Sequence, residues 1–167
     1  AVAVIAVLLF HADVPWMRRR ALHRALAGKP IVRFEPMYPA VTRVHDDHPL
    51  TATHVEKVSS AGKHVLMYFA NGFVLRTHMR MSGSWHLYRH GAKWFRPEFQ
   101  ARAILGTDEV LAVGFDLGTF DVLRTAEEGQ AVGYLGPDLL GADWDPDRAL
   151  ANLLSDPGRE VGLSLLD

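Results

Sequence analysis

Lys63-His64-Val65-Leu66-Met67-Tyr68-Phe69, Ala70-Asn71-Gly72 and Phe73-Val74-Leu75-Arg76-Thr77-His78 place two apolar runs around an Asn-Gly pair. Asn and Gly both tolerate positive φ, so the segment reads as a tight antiparallel β-hairpin with strands over 63–69 and 73–78. Lys63 then opens one strand and His78 closes its partner, and pairing brings the two cations to the same sheet end. Beside them runs Met79-Arg80-Met81-Ser82-Gly83. Cations next to a flexible apolar tip suit a ligand with phosphates and a stack of bases. Taken alone, the segment reads as an ordinary hairpin with surface cations.

Outward from the hairpin, further short β-like runs occupy 31–34, 55–59, 84–88, 101–105, 110–114 and 120–123, nearly all separated by turn residues. Asp13 followed by Pro15 marks a helix entry, with Asp as N-cap and Pro in the first turn, where a missing N–H costs nothing. That helix runs to Leu26 or Ala27, with Gly28 as its C-cap and Pro30 beyond. Trp16, Leu22 and Leu26 form its apolar side, and Arg18, Arg19, Arg20 and Arg24 a solvated one. One opening helix followed by many short strands indicates a β-sandwich or a flattened barrel. Residues 89–99 read as a loop, with Gly91 and Pro97 against a regular element and Trp94 and Phe95 as packing residues. A helix is expected over 146–154 and another over 158–166.

Composition narrows the function classes. With 167 residues and 49% apolar content the chain can bury one good core. It has no cysteine, so no disulfide and no thiolate-held zinc, and we read no metal site among its nine histidines. The first ten residues are wholly apolar, but they are too short for a membrane span and lack a basic leader. Net charge is −1 overall, yet 15 Lys+Arg stand against 6 Asp+Glu through Leu105, and 3 against 13 from Gly106 onward. A basic portion of net +9 can meet phosphates while the acidic portion stays clear of them.

Four segments carry a resemblance: Leu22-His23-Arg24-Ala25-Leu26-Ala27-Gly28-Lys29-Pro30, Ser60-Ala61-Gly62-Lys63-His64, His78-Met79-Arg80-Met81-Ser82-Gly83-Ser84-Trp85 and Leu135-Gly136-Pro137-Asp138-Leu139-Leu140. In order and spacing together, from about Asp13 to Asp167, the chain resembles the formamidopyrimidine-DNA glycosylase / endonuclease VIII family, in its actinobacterial endonuclease VIII-like flavour. The resemblance implies an α+β, mainly β fold: an N-terminal helix on an antiparallel β-sandwich, then the start of a helical (helix–two-turn–helix) domain. The corresponding division is an atypical apolar extension over 1–12, a β-sandwich catalytic-type domain over 13–130, a linker over 131–146 and the truncated start of the helical domain over 147–167.

For function the resemblance implies a DNA glycosylase/AP lyase of base-excision repair, which removes oxidised bases and nicks the strand by β-elimination. It implies as partner double-stranded DNA with an oxidised base or an abasic site, no membrane, a monomer, and a bacterial, nucleoid-associated cytoplasmic location. No cofactor is expected in this chain; a family zinc finger, if any, would lie beyond residue 167. Lys63 matches the family lysine beside the target phosphate, which also assists departure of the base. His78 matches a histidine near the DNA backbone and Met81 the side chain that enters the duplex where the damaged nucleotide swings out. Arg80 is a further phosphate contact. Set against these roles, Lys63 could be an exposed strand-start lysine, His78 a satisfied buried histidine and Met81 a core plug.

The family nucleophile is the free secondary amine of an N-terminal proline, with a glutamate beside it for proton transfer. Counting back from Leu22-His23-Arg24, Phe10 stands at the proline position and His11 at the glutamate position. Pro15 is internal, where its nitrogen is an amide. As written, the chain reads as incomplete at both ends and impaired in catalysis. Two alternatives follow: a non-catalytic DNA-binding or damage-recognition module, or a defective gene product. Asp116-Leu117-Gly118 lies where the family often carries another void-filling loop with Arg and Phe, and no such arginine is recognisable here.

Overall fold

The hairpin forms with its 70–72 turn where expected, and its first strand starts one residue late. In the computed structural model, which describes residues 15–136, 144–156, 158 and 160, strand β3 spans His64–Phe69 and β4 spans Phe73–His78. Only Gly72 of the Asn-Gly pair takes positive φ (+82), and its N–H donates to Phe69 O at 3.0 Å. This is a three-residue loop closed by a left-handed glycine, as strands over 63–69 and 73–78 imply, and Asn71 does not take positive φ. Lys63 is outside the strand. Strand β2, Val55–Ala61, joins β3 through Gly62-Lys63, with Ala61 opposite His64 and Gly62 at φ +53. A positive φ at the first turn position is what a two-residue hairpin of this hand requires, and glycine supplies it without strain.

Eight strands are present among the described residues, completed by β1 (Arg33–Pro36), β5 (Ser84–Arg89), β6 (Ala101–Gly106), β7 (Val110–Phe115) and β8 (Thr119–Arg124). They form two antiparallel four-stranded sheets, ordered β1-β6-β7-β5 and β2-β3-β4-β8. The architecture is α+β, mainly β, and of the two readings left open it is the sandwich. Alternation along β3 turns Val65, Met67 and Phe69 into the core between the sheets, while His64, Leu66 and Tyr68 take the outer face. Trp85, 4% exposed, reaches from β5 across that core, and its Nε1–H donates to Thr77 Oγ1 of β4 at 3.0 Å. Burying the ring while satisfying its one polar group fixes one sheet against the other.

Helix α1, Pro15–Leu26, ends as its sequence requires. Gly28 adopts φ +75 and gives its N–H to Val55 O at 2.8 Å, taking the chain out of the helix. Leu22 and Leu26, one turn apart, are buried against the sandwich. His23 Nδ1 accepts from Val58 N–H at 3.1 Å, so the helix covers a backbone group of edge strand β2. The expected N-cap Asp13, the side chain of Trp16 and the helix expected over 158–166 lie outside the described residues.

A second helix, α2 over Pro39–Asp47, was not expected. Val41, Thr42 and Val44 argue locally for an extended chain. Tertiary burial decides otherwise: Val41 is 1% exposed, Val44 packs on the core, and Phe34 of β1 meets His45 edge-on at 5.0 Å. Pro39 occupies the first turn, and Leu50 N–H donates to His45 Nδ1 at 3.0 Å after the helix has ended. Strand β1 is also shifted toward the C-terminus of its expected place.

The outer face of the β5-β6-β7 sheet carries a second apolar cluster, including Val113 and Phe115, and the 90–100 segment lies over it. Trp94 packs there, its ring 5.9 Å from that of Phe115. Phe95 does not join that cluster: its backbone N–H donates to Tyr88 Oη at 3.2 Å, and its side chain is 66% exposed.

The chain divides into compact units at Thr125/Ala126. In the second unit, α3 spans Glu128–Val132 and α4 spans Pro146–Leu154, the latter where the sequence placed it. Asp145 caps α4, its Oδ1 accepting from the N–H groups of Asp147 and Arg148, each at 3.0 Å. Among the described residues no helix is long and apolar enough to cross a membrane.

Candidate nucleic-acid interface

Four chain crossings meet at one end of the sandwich: the Gly62-Lys63 turn, the 79–83 loop, the Glu98–Gln100 3-10 turn and the 116–118 turn. Strand register brings the expected residues together. His64 lies directly opposite His78, with ring centroids 4.5 Å apart. Met79 N–H donates to Lys63 O at 3.3 Å, so the backbone of Lys63 abuts the start of the loop that follows His78. Lys63 is exposed, His78 half-buried and Arg80 exposed.

The 79–83 loop is held at both ends. Met79 is buried, and Gly83 N–H donates to Met79 O at 2.7 Å. A Cβ on Gly83 would lie 2.4 Å from Met79 O and 3.0 Å from Asp116 O, both backbone atoms, so no side chain fits there. Arg80 takes φ +47, a conformation few non-glycine residues adopt, and its N–H donates to His78 Nδ1 at 3.1 Å. At the tip, Met81 is 94% exposed. It plugs no core.

The electrostatics favour neutral imidazoles. Burial first, then the charges of His78 and Arg76 with Asp121 opposing, lowers His64 to about 4. His78 is also drawn below its usual range, by burial and then by Arg80, Lys63 and Arg76. With His78 Nδ1 accepting from Arg80, the proton of the neutral ring sits on Nε2, which makes His78 a donor. Arg76 is itself committed to Asp121 across the β4–β8 pair, at 3.0 and 2.6 Å.

The His64 shift has a consequence for stability. The folded state resists a proton that the unfolded chain accepts, so this contribution is fully present above the unfolded value of about 6.5. It is lost as pH falls toward the folded value of about 4. We expect Tm to drop on acidification from pH 7 to pH 5, with a shallower slope in His64→Leu. Equal slopes in thermal melts of the two proteins would remove His64 as the source.

The 116–118 turn carries no exposed wedge: Leu117 is 2% exposed, and Asp116, at φ +46, binds Arg96 through Oδ2 at 2.6 Å. Arg96 is the site residue that sequence reasoning missed, because nothing in an apparent loop indicates a partner twenty residues away. His86 and His90 stand four apart, but their Nε2 atoms are engaged with Ser84 Oγ at 2.9 Å and Thr107 O at 2.8 Å. Phe10 and His11 lie outside the described residues.

An apolar tip on a braced loop thus stands beside Lys63, Arg80 and a donor histidine at one end of the sandwich. Residues 14–118 match the family model described as the formamidopyrimidine-DNA glycosylase N-terminal domain, and the chain belongs to that family. It is 47% identical over 156 residues to a probable endonuclease 8 2 of Streptomyces coelicolor, covering 93% of this chain and 55% of that protein. It is 37% identical over 155 residues to the DNA-(apurinic or apyrimidinic site) lyase Nei2 of Mycolicibacterium smegmatis, covering 93% of this chain and 58% of that one. Both are actinobacterial, as the resemblance implied. The chain thus spans little more than half the length of these curated relatives. In fold it is similar to the Lactococcus lactis Fpg crystallised with an abasic site containing DNA, with TM-score 0.66 and 21% identity over 80% of this chain and 53% of that one.

Proposed function

We propose that this chain is the lesion-contacting part of a base-excision-repair DNA glycosylase/AP lyase, acting on duplex DNA with an oxidised base or an abasic site. The observation that carries the reading is Met81, 94% exposed on a loop whose ends are fixed beside Lys63 and His78. Lys63 and Arg80 meet phosphates as cations, and His78 donates Nε2–H to a phosphate oxygen. Swinging a nucleotide out of the stack costs roughly a few kcal/mol, and the vacated space takes an apolar side chain. Burying a methionine returns about 1.5–3 kcal/mol, less the cost of fixing its rotamers. Such an enzyme works where the chromosome is, in the bacterial cytoplasm and nucleoid, as a monomer on its substrate.

One observation supports a second reading. Phe10 and His11 stand at the positions of the family proline and glutamate. Lacking that pair, the same surface serves as a damage-recognition module that binds DNA without forming an imine.

Binding to a fluorescent abasic-site duplex, titrated across several salt concentrations, tests the interface common to both readings. Lys63 and Arg80 alone imply a slope of log K on log salt of about −2, and Lys63→Ala should reduce it by about 1. A salt-independent affinity, or an unchanged slope in Lys63→Ala, would remove Lys63 from the phosphate contacts.

A further inference from the structure

Resting on the reading of Met81 as a side chain that enters the duplex, we infer that Arg96 is the positioning residue that sets the Met81 loop for insertion. A surface loop with an apolar tip would ordinarily sample many conformations, and each must be frozen out when the tip enters DNA. Here one guanidinium ties that loop to two other segments. Arg96 Nη1 donates to Ser82 O at 2.9 Å, one residue from Met81, and to Ser84 Oγ at 3.2 Å. Its Nε donates to Gln100 Oε1 at 3.0 Å and its Nη2 to Asp116 Oδ2 at 2.6 Å. Asp116 N–H in turn donates to Gln100 O at 2.9 Å, closing the ring.

The arrangement is suited to arginine alone. Its donors leave one plane in fixed directions, toward the Met81 loop, the 3-10 turn before β6 and the β7–β8 turn, while Phe115 lies 5.8 Å from the guanidinium carbon. Lysine would keep the charge but present it at a single point, so it cannot span the three segments. The Arg96 side chain is 23% exposed, as is that of Asp116. Four of its five N–H donors are engaged within the protein, so it acts on DNA through Met81 and not as a phosphate contact.

The test uses the full chain and two duplexes, one with a tetrahydrofuran abasic analogue opposite 2-aminopurine and one undamaged. The readouts are the ratio of affinities for the two and the 2-aminopurine emission on binding. Met81→Ala is expected to lower the ratio about 5–10-fold, the loss of part of one methionine burial. Arg96→Lys and Arg96→Ala should lower it by a similar factor and reduce the emission change. Combining either with Met81→Ala should add nothing further, since both act through one loop. Asp116→Asn, nearly isosteric, should give a smaller loss, and together with Arg96→Lys it decides the matter if Arg96→Ala fails to fold. If the Arg96 variants keep the wild-type ratio while Met81→Ala loses it, or if their effects add to that of Met81→Ala, Arg96 does not position the loop. If Met81→Ala itself keeps the ratio, the insertion reading fails and the role of Arg96 falls with it.

Discussion

Borohydride treatment of the chain as written, mixed with an abasic or oxidised-base duplex, is expected to trap no efficient covalent adduct. Trapping reduces an imine, and an imine needs an unprotonated amine placed against C1′ of the damaged nucleotide. Phe10 offers a side chain without nitrogen, its backbone nitrogen is an amide, and Pro15 is internal. Among the described residues Lys63 is the remaining lysine amine at the proposed interface, and an ammonium held beside a phosphate is a poor nucleophile. Adduct formation should be more than about 10³-fold slower than with a proline-amine enzyme, in line with what losing a nucleophile costs elsewhere. Any residue of it should vanish in Lys63→Ala. Removing the first nine residues together with Phe10→Pro and His11→Glu should restore a trappable amine. A strong adduct from the unaltered chain that survives Lys63→Ala would show that another group is the nucleophile.

The second large effect concerns Gly83. A methyl group there meets the backbone oxygens of Met79 and Asp116 at 2.4 and 3.0 Å, and neither can rotate away. Gly83→Ala must therefore open the 79–83 loop or push it from the 116–118 turn. The cost belongs at the upper end of single substitutions, about 3 kcal/mol, which for a chain of this size lowers Tm by roughly 10 °C. The preference for abasic over undamaged duplex should fall with it, since the Met79–Gly83 hydrogen bond braces the loop carrying Met81. A thermal melt and a paired titration check both, and a variant melting within about 2 °C of the parent would mean the loop is not constrained as described.

How much of this was legible in the sequence depends on the range of the interactions. The alternation along the hairpin, the Gly28-Lys29-Pro30 helix exit and the helix over 146–154 are local, and they appear where expected. Lys63, His78, Arg80 and Met81 were named from motif and hairpin register, and the register does bring them to one end of the sandwich. Helix α2 was not legible, because Val41 and Val44 follow the packing of β1 and β8 against their own local preference. The position of Lys63 in a turn follows from the conformation of Gly62, which the alternating pattern does not reveal. Arg96 and Asp116 were out of reach for another reason. They meet because β5 and β6 both pair with β7, and only that topology aligns their ends.

The sandwich end holding Lys63, His78 and Met81 is the proposed face for damaged DNA. Backbone amide NMR of the chain during titration with an abasic-site duplex tests it most directly. The largest shifts are expected over residues 62–64, 78–83 and 116–118, with those of 70–72 and 107–109, at the opposite end of the sheets, nearly unmoved. Shifts concentrated at 70–72 and 107–109, with 78–83 silent, would contradict it.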